Sequence, residues 1–251
     1  MTAPDAQRPV LPVAGGGPAT VFAMWSAALA VVVGIAVTCL DPRPDAVAET
    51  TCILLFALGM SVAIAGLRRH YPHPRLGGCN VVTLVRAAAV ATLFAGVIVP
   101  AAPTVPLFAL AIATLALDGI DGHLARRAGL VSGFGARFDM EVDAALAATL
   151  ALIAMRAGGD IHPLLAACLA VLGFARYAFV IAGYVAPSLT RPLPERFSRK
   201  VVCVIQIGVL AALLAPVPGD GWRGAAVVVA TGLLAWSFAR DLIWLRAPVR
   251  R

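Results

Sequence analysis

Four aspartates carry the chemistry this sequence is equipped for: Asp118, Asp121, Asp139 and Asp143 stand inside segments that are otherwise apolar and of membrane length. Read as two helices joined at residues 128–133, the stretch from Leu117 to Asp143 brings them into register. At about 100° per residue, offsets of three, four and seven return close to the starting direction, so Asp118, Asp121, Gly122 and Ala125 share one face of the first helix. On the second, Gly135, Asp139 and Asp143 follow at i, i+4 and i+8 and form one stripe. A short turn lets the stripes face each other. His123, Arg127, Arg137 and Glu141 point elsewhere, and the i, i+4 spacing of Arg137 and Glu141 predicts an ion pair on the far side of the second helix.

Carboxylates that converge in lipid need positive charge. An ionised aspartate near a bilayer centre costs about 3 kcal/mol on insertion scales, so the stripes predict bound cations. Hard oxygen donors favour Mg²⁺, Mn²⁺ or Ca²⁺ over zinc, which prefers His and Cys, and four carboxylates can hold two divalent ions about 4 Å apart. Gly122, Ala125 and Gly135 leave the helix backbone bare enough for a bulky ligand, such as a nucleotide diphosphate bridging two metals, to lie against it.

The elements that must hold these residues are membrane spans. Of 251 residues, 61% are hydrophobic and 13% charged, too apolar for a soluble domain and right for an all-α polytopic membrane protein. Eight apolar runs predict eight transmembrane helices, near 19–40, 51–67, 81–100, 105–126, 134–156, 162–186, 200–216 and 224–245. Pro, Gly or charge separates them, as in DPRPDAVAE at 41–49 and the basic loop at 187–200. Residues 1–17, rich in Pro, Gly and Ala, read as a disordered tail, and the run after them as an anchor without a cleavage site.

The net charge of +7 reflects topology and anionic lipid, with no basic, aromatic-interleaved run to bind nucleic acid. With both termini in the cytoplasm, thirteen basic residues fall on that side, Arg126, Arg127, Arg199 and Lys200 among them, against Arg43, Arg156 and Arg223 outside. The acidic stripes then open toward the cytoplasm. The five cysteines show no CxxC spacing, which implies neither disulfides nor a metal cluster; four lie in apolar runs as small hydrophobes. Arg176, within an apolar run, must face a cavity or an acid.

The series Asp118-x2-Asp121-Gly122-x2-Ala125-Arg126-x8-Gly135-x3-Asp139-x3-Asp143 resembles the full signature of the CDP-alcohol phosphatidyltransferase family, with all eight fixed positions and their spacings in place. Upstream, Asn80-x2-Thr83-x2-Arg86 resembles the segment that opens the first core helix in many members, with Cys79 where they often carry proline. The asparagine reads equally as an N-cap with Thr83 at N3. Ser132 occupies the place where relatives carry Ser or Thr near the nucleotide, and reads also as the N-cap of the second motif helix.

The resemblance implies a six-helix core over residues 68–251, preceded by two additional helices at 18–67. It implies metal-dependent transfer of a phosphatidyl group from a CDP-linked donor, most commonly CDP-diacylglycerol, to an alcohol hydroxyl with release of CMP. Mg²⁺ or Mn²⁺, as a pair of ions, would be held by Asp118, Asp121, Asp139 and Asp143, with Asp143 also the general base. Asn80, Thr83, Gly122, Ala125, Arg126, Ser132 and Gly135 would line the nucleotide site, and Arg176, Arg199 and Lys200 would meet an acceptor that carries phosphate. Glycerol 3-phosphate is the first acceptor to test; a soluble CDP-alcohol transferred to diacylglycerol uses the same motif. Members of known structure are homodimers, and the alanine- and arginine-rich composition points to a bacterial inner membrane. A transporter or ion pathway, or a non-catalytic scaffold, would be the competing readings; no internal repeat favours the former, and no motif aspartate is missing to favour the latter.

Overall fold

Each apolar run is helical in the computed structural model, and all but one form a single helix. The structure describes residues 17–40, 46–99, 102–128, 132–157, 161–186, 189, 196–216 and 221–246, and for 120–128 and 246 the backbone alone. The tail expected over 1–17 lies outside the described residues but for Gly17. In chain order the helices are α1 (Pro18–Leu40), α2 (Ala46–His70), α3 (Gly78–Leu93), the single turn α4 (Ala95–Ile98), α5 (Thr104–Ala128), α6 (Gly133–Ala157), α7 (Pro163–Val185), α8 (Phe197–Ala212) and α9 (Gly221–Arg246). Among the described residues there is no strand. The chain is an all-α polytopic membrane protein: α1, α2, α3 continued through α4, α7 and α9 are each long and apolar enough to cross a bilayer. The 25-residue helices α5 and α6 match them in length but carry the acids.

Helix ends follow the local sequence. Pro18 and Pro163 open α1 and α7, where a missing N–H costs nothing, and the His162 ring accepts from the Leu164 N–H at 3.2 Å. α2 runs three residues past its expected end, so that Arg68, Arg69 and His70 lie against the negative end of its dipole. The run expected over 81–100 is stepped at Phe94, whose N–H bonds the Val90 carbonyl at 3.1 Å before α4 resumes. Gly96 in that turn presses on the side chains of Leu107 and Ile153; a Cβ there would come within 2.8 Å of Leu107 Cδ1. The step is a packing adjustment, and Arg156 donates to the freed Val97 carbonyl.

α3 is the central helix. Its membrane window is 61% buried, against 22–28% for the other four helices of that kind, and it packs against α1, α5 and α6. The α1–α2 hairpin is fastened to this core by aromatic rings: fully buried Phe22 lies 5.6 Å from Phe138 and 6.3 Å from Phe134, and Tyr71 lies 6.0 Å from Phe134. α6 and α7 approach through small residues, Gly173 meeting Ala148 and Ala151 so closely that a Cβ would stand 2.7 Å from the Ala151 methyl. α8 closes the bundle against α5, α6 and α9.

Candidate active site

Asp118 leaves α5 where that helix approaches its turn into α6, and Asp139 and Asp143 leave the first three turns of α6. The helices aim these three carboxylates at one point: one oxygen from each lies within 4.8 Å of the other two. That convergence is the one expected from the i, i+4 spacing on α6 facing α5. The side chains of Asp121, Gly122, Ala125 and Arg126 lie outside the described residues; their backbone continues α5.

At the same point stands Arg86 of α3, which is 0% exposed. Its guanidinium Nη1 bonds Asp139 and lies 3.1 Å from Asp118 Oδ1, and Nη2 bonds Asp143. Bound cations were expected to balance the acids; Arg86 is an internal counter-charge that this expectation did not include. A buried guanidinium satisfies several carboxylates at once because its planar fork offers five donors. The sequence places Arg86 three residues after Thr83 on one helix face, but that this helix runs beside both acidic stripes emerges only from the packing of α3 against α5 and α6. The three acids keep 20–35% of their side-chain surface exposed while Arg86 keeps none, so the arginine lies beneath them and their outer side is open.

Above the acids is a second polar layer. Asn80 is buried, and its Nδ2 makes no hydrogen bond. Its Oδ1 lies so near Gly135 that a Cβ there would stand 3.0 Å from it. The space expected beside Gly135 for a ligand is thus filled on that side by the Asn80 carboxamide. Asn80 is not the N-cap of α3; Gly77 caps the helix without a side-chain bond, because the chain enters the helix three residues earlier than expected. Thr83, also buried, donates to the Cys79 carbonyl at 3.0 Å. Ser132 does cap α6: its hydroxyl accepts from the Gly135 N–H at 3.0 Å and its carbonyl from Ala136 at 3.1 Å.

The expected basic residues divide. Arg176 pairs with Glu141, on the side of α6 turned about 160° from the stripe, so the structure brings it to an acid but not to the aspartate cluster. Glu141 therefore meets α7 and not Arg137, its intrahelical neighbour. Arg199 Nε lies 3.1 Å from Asp241 Oδ2, and Arg196 Nη1 4.0 Å from Asp241 Oδ1. Asp241, expected as an interfacial charge, is buried because α8 packs over that end of α9. Lys200 is exposed.

Cys203, one turn beyond Arg199 on the same face of α8, lies within electrostatic range of Asp118, Asp139, Asp143 and Arg86. Arg199 is thus about 6 Å along the helix from a residue beside the acids. Nothing in the spacing of the cysteines marked Cys203 as a neighbour of the site. A separate groove of about 790 Å³, lined by Phe56, Met60, Phe138, Val142, Ala145 and Tyr177 among others, opens on the opposite side of α6 between α2 and α7.

Fold and site together define an integral membrane protein whose helices converge acidic oxygens, a hard-cation donor set, near one end of the bundle. Residues 78–239 match the profile described as CDP-alcohol phosphatidyltransferase, and the chain belongs to that family. Helices α1 and α2 lie outside the match. No curated protein and no solved structure matches the chain. Membership makes it an enzyme of phosphatidyl transfer, with a CDP-alcohol substrate, an alcohol acceptor and membrane lipid as its reactants and surroundings. The family depends on divalent metal, and the convergent oxygens of Asp118, Asp139 and Asp143 fit such an ion.

Proposed function

We propose that the protein transfers the phosphatidyl group of CDP-diacylglycerol to the hydroxyl of a phosphate-bearing alcohol, releasing CMP, at the cytoplasmic face of a bacterial inner membrane. The observation that carries this reading is the convergence of three signature aspartates, from two helices, on one open point. The basic residues near the α5–α6 turn and around Arg199 support the orientation, with both termini cytoplasmic.

Asp118, Asp121, Asp139 and Asp143 hold Mg²⁺ or Mn²⁺, most simply as two ions. Ions held there would neutralise the diphosphate and stabilise the departing CMP. Asp143 takes the proton from the acceptor hydroxyl, the role the family resemblance gives the last signature aspartate, since a neutral alcohol is a weak nucleophile until deprotonated. Asn80 offers its unpartnered Nδ2 to the nucleotide, with Thr83, Ser132 and Gly135 shaping the wall beside it and Gly122, Ala125 and Arg126 the opposite one. Arg199 and Lys200 receive the acceptor's phosphate from the cytoplasm; Arg199 is anchored for this by Asp241. Arg176, held by Glu141 on another side of α6, is left out of the acceptor site. A homodimer is the proposed assembly.

The test is CMP release by purified protein in detergent, with CDP-diacylglycerol, Mg²⁺ or Mn²⁺, and a panel of acceptors that includes glycerol 3-phosphate, inositol phosphate, serine and choline. A phosphorylated acceptor giving metal-dependent CMP release supports the reading. Release only with serine or choline would overturn the acceptor class, and release only from a soluble CDP-alcohol with diacylglycerol would reverse donor and acceptor.

A further inference from the structure

Arg86 poses a problem that the reaction alone does not answer. The convergent carboxylates that would hold a divalent ion already share a cation of the chain's own, fully buried and bonded to two of them, with the third at 3.1 Å. This guanidinium has no solvent to retreat into, and leaving an unpaired charge buried at that depth is unfavourable. It therefore stays beneath the acids whatever binds above them. Arg86 and a metal then act on the same negative charge from opposite sides, and each weakens the hold of the other because like charges a few ångströms apart in a poorly polarisable interior repel strongly.

The geometry points to Arg86 as a built-in counter-ion: it holds the metal-free carboxylates together and makes them weak ligands for a bare divalent cation. This inference rests on the metal-binding reading given above. Counted among themselves, the three described carboxylates outnumber the one guanidinium by two charges, a set matched to one divalent ion. A second ion would overfill that set unless further negative charge arrived with it, from Asp121 or from the diphosphate of the substrate. Arg86 thus biases the site toward taking metal together with its anionic substrate rather than alone. Being a positioning residue, it acts through the aspartates and not on the reacting atoms.

The experiment is Mn²⁺ binding by the metal-stripped, full-length protein in detergent, followed by the electron paramagnetic resonance signal of free Mn²⁺, with melting temperature in EDTA and in Mn²⁺ as a second readout. Wild type is compared with Arg86→Gln, which removes the charge, and Arg86→Lys, which keeps it without the fork; Asp139→Asn shows that the signal reports the cluster. Arg86→Gln should bind Mn²⁺ at least tenfold more tightly than wild type, melt lower in EDTA and gain more from Mn²⁺, while Arg86→Lys stays within about threefold of wild-type affinity. Equal or weaker binding by Arg86→Gln overturns the inference, as does an Arg86→Lys protein that behaves like Arg86→Gln. If Arg86→Gln survives only with Mn²⁺ present, chelator competition from the loaded state gives the same comparison: the variant should need at least tenfold more chelator to be stripped. Absence of Mn²⁺ binding in wild type and variant alike would remove the metal-binding reading itself, and binding untouched by Asp139→Asn would place the metal away from the cluster.

Discussion

Two arginine–aspartate clusters lie near the same end of the bundle, and their charge ratios are opposite. Around Arg86, three carboxylates from α5 and α6, among the described residues, surround one buried guanidinium. Around Asp241, two guanidiniums from the start of α8 surround one buried carboxylate. In each cluster the minority charge is the buried one and the majority groups are partly exposed. The buried ion orients the others and leaves a surplus facing outward, negative in the first and positive in the second. A negative surplus attracts cations and a positive one attracts phosphate, so a single device, inverted, would furnish the two halves of the proposed transfer site.

The largest effect should come from the acid-rich cluster. Asp143→Asn removes the proposed base and one metal oxygen, and CMP release should fall by about 10²–10⁴-fold, the usual contribution of a positioned general base, with the protein still folded. A variant with more than a tenth of wild-type turnover would assign the base elsewhere and leave Asp143 as a ligand at most. Less drastic is Arg199→Gln in the base-rich cluster. Loss of a charge-assisted contact of about 1.5–3 kcal/mol should raise KM for a phosphorylated acceptor by about 10–100-fold and leave KM for CDP-diacylglycerol unchanged. Equal changes in both constants would break the division of labour between the clusters.

How much of this contrast was legible in the sequence differs between the two. The relation of Asp139 to Asp143 could be read, because both are on one helix and helical pitch alone fixes it. The eight long helices were legible for a similar reason: a run of some 20 apolar residues has one stable arrangement in lipid. Arg86 and Asp241 were not, since each is defined by a neighbour on another helix. Arg86 lies 53 residues from Asp139 in the chain, and spacing within α3 says nothing of what α6 presents to it. The same gap explains Glu141. Its i+4 relation to Arg137 is a geometric option, but α7 supplies Arg176 across the interface. The N-cap reading of Asn80 failed at a helix boundary, the feature a sequence places least well.

Asp241→Asn tests whether the buried acid positions its arginines or is a passive anchor. Both partners keep 29–37% of their side-chain surface exposed, so the stability cost should be small for a buried acid, about 1 kcal/mol in a detergent melt. Positioning predicts in addition a several-fold rise in acceptor KM at unchanged kcat, which a purely structural role would not produce. An unaltered acceptor KM would reduce this cluster to packing and leave Lys200 to receive the phosphate.

The smallest effect should come from the one-to-one pair, which has no surplus of either sign. Glu141 and Arg176 face each other between α6 and α7, and with 51% and 33% of their side-chain surface exposed they are the most accessible of the arginine–acid pairs described here. An interhelical polar contact within a membrane is worth about 0.6 kcal/mol on average, because each partner finds substitutes when the other is lost. Glu141→Gln keeps the side chain's shape and one acceptor oxygen for Arg176, so its melting temperature should stay within about 2 °C of wild type. The helix face bearing Glu141 points away from Asp139 and Asp143, and with no outward surplus to lose, CMP release, metal requirement and acceptor KM should all stand. A drop in turnover beyond about threefold would mean that the α6–α7 contact communicates with the acidic stripe through α6 itself, and the separation of the two faces of that helix would have to be given up.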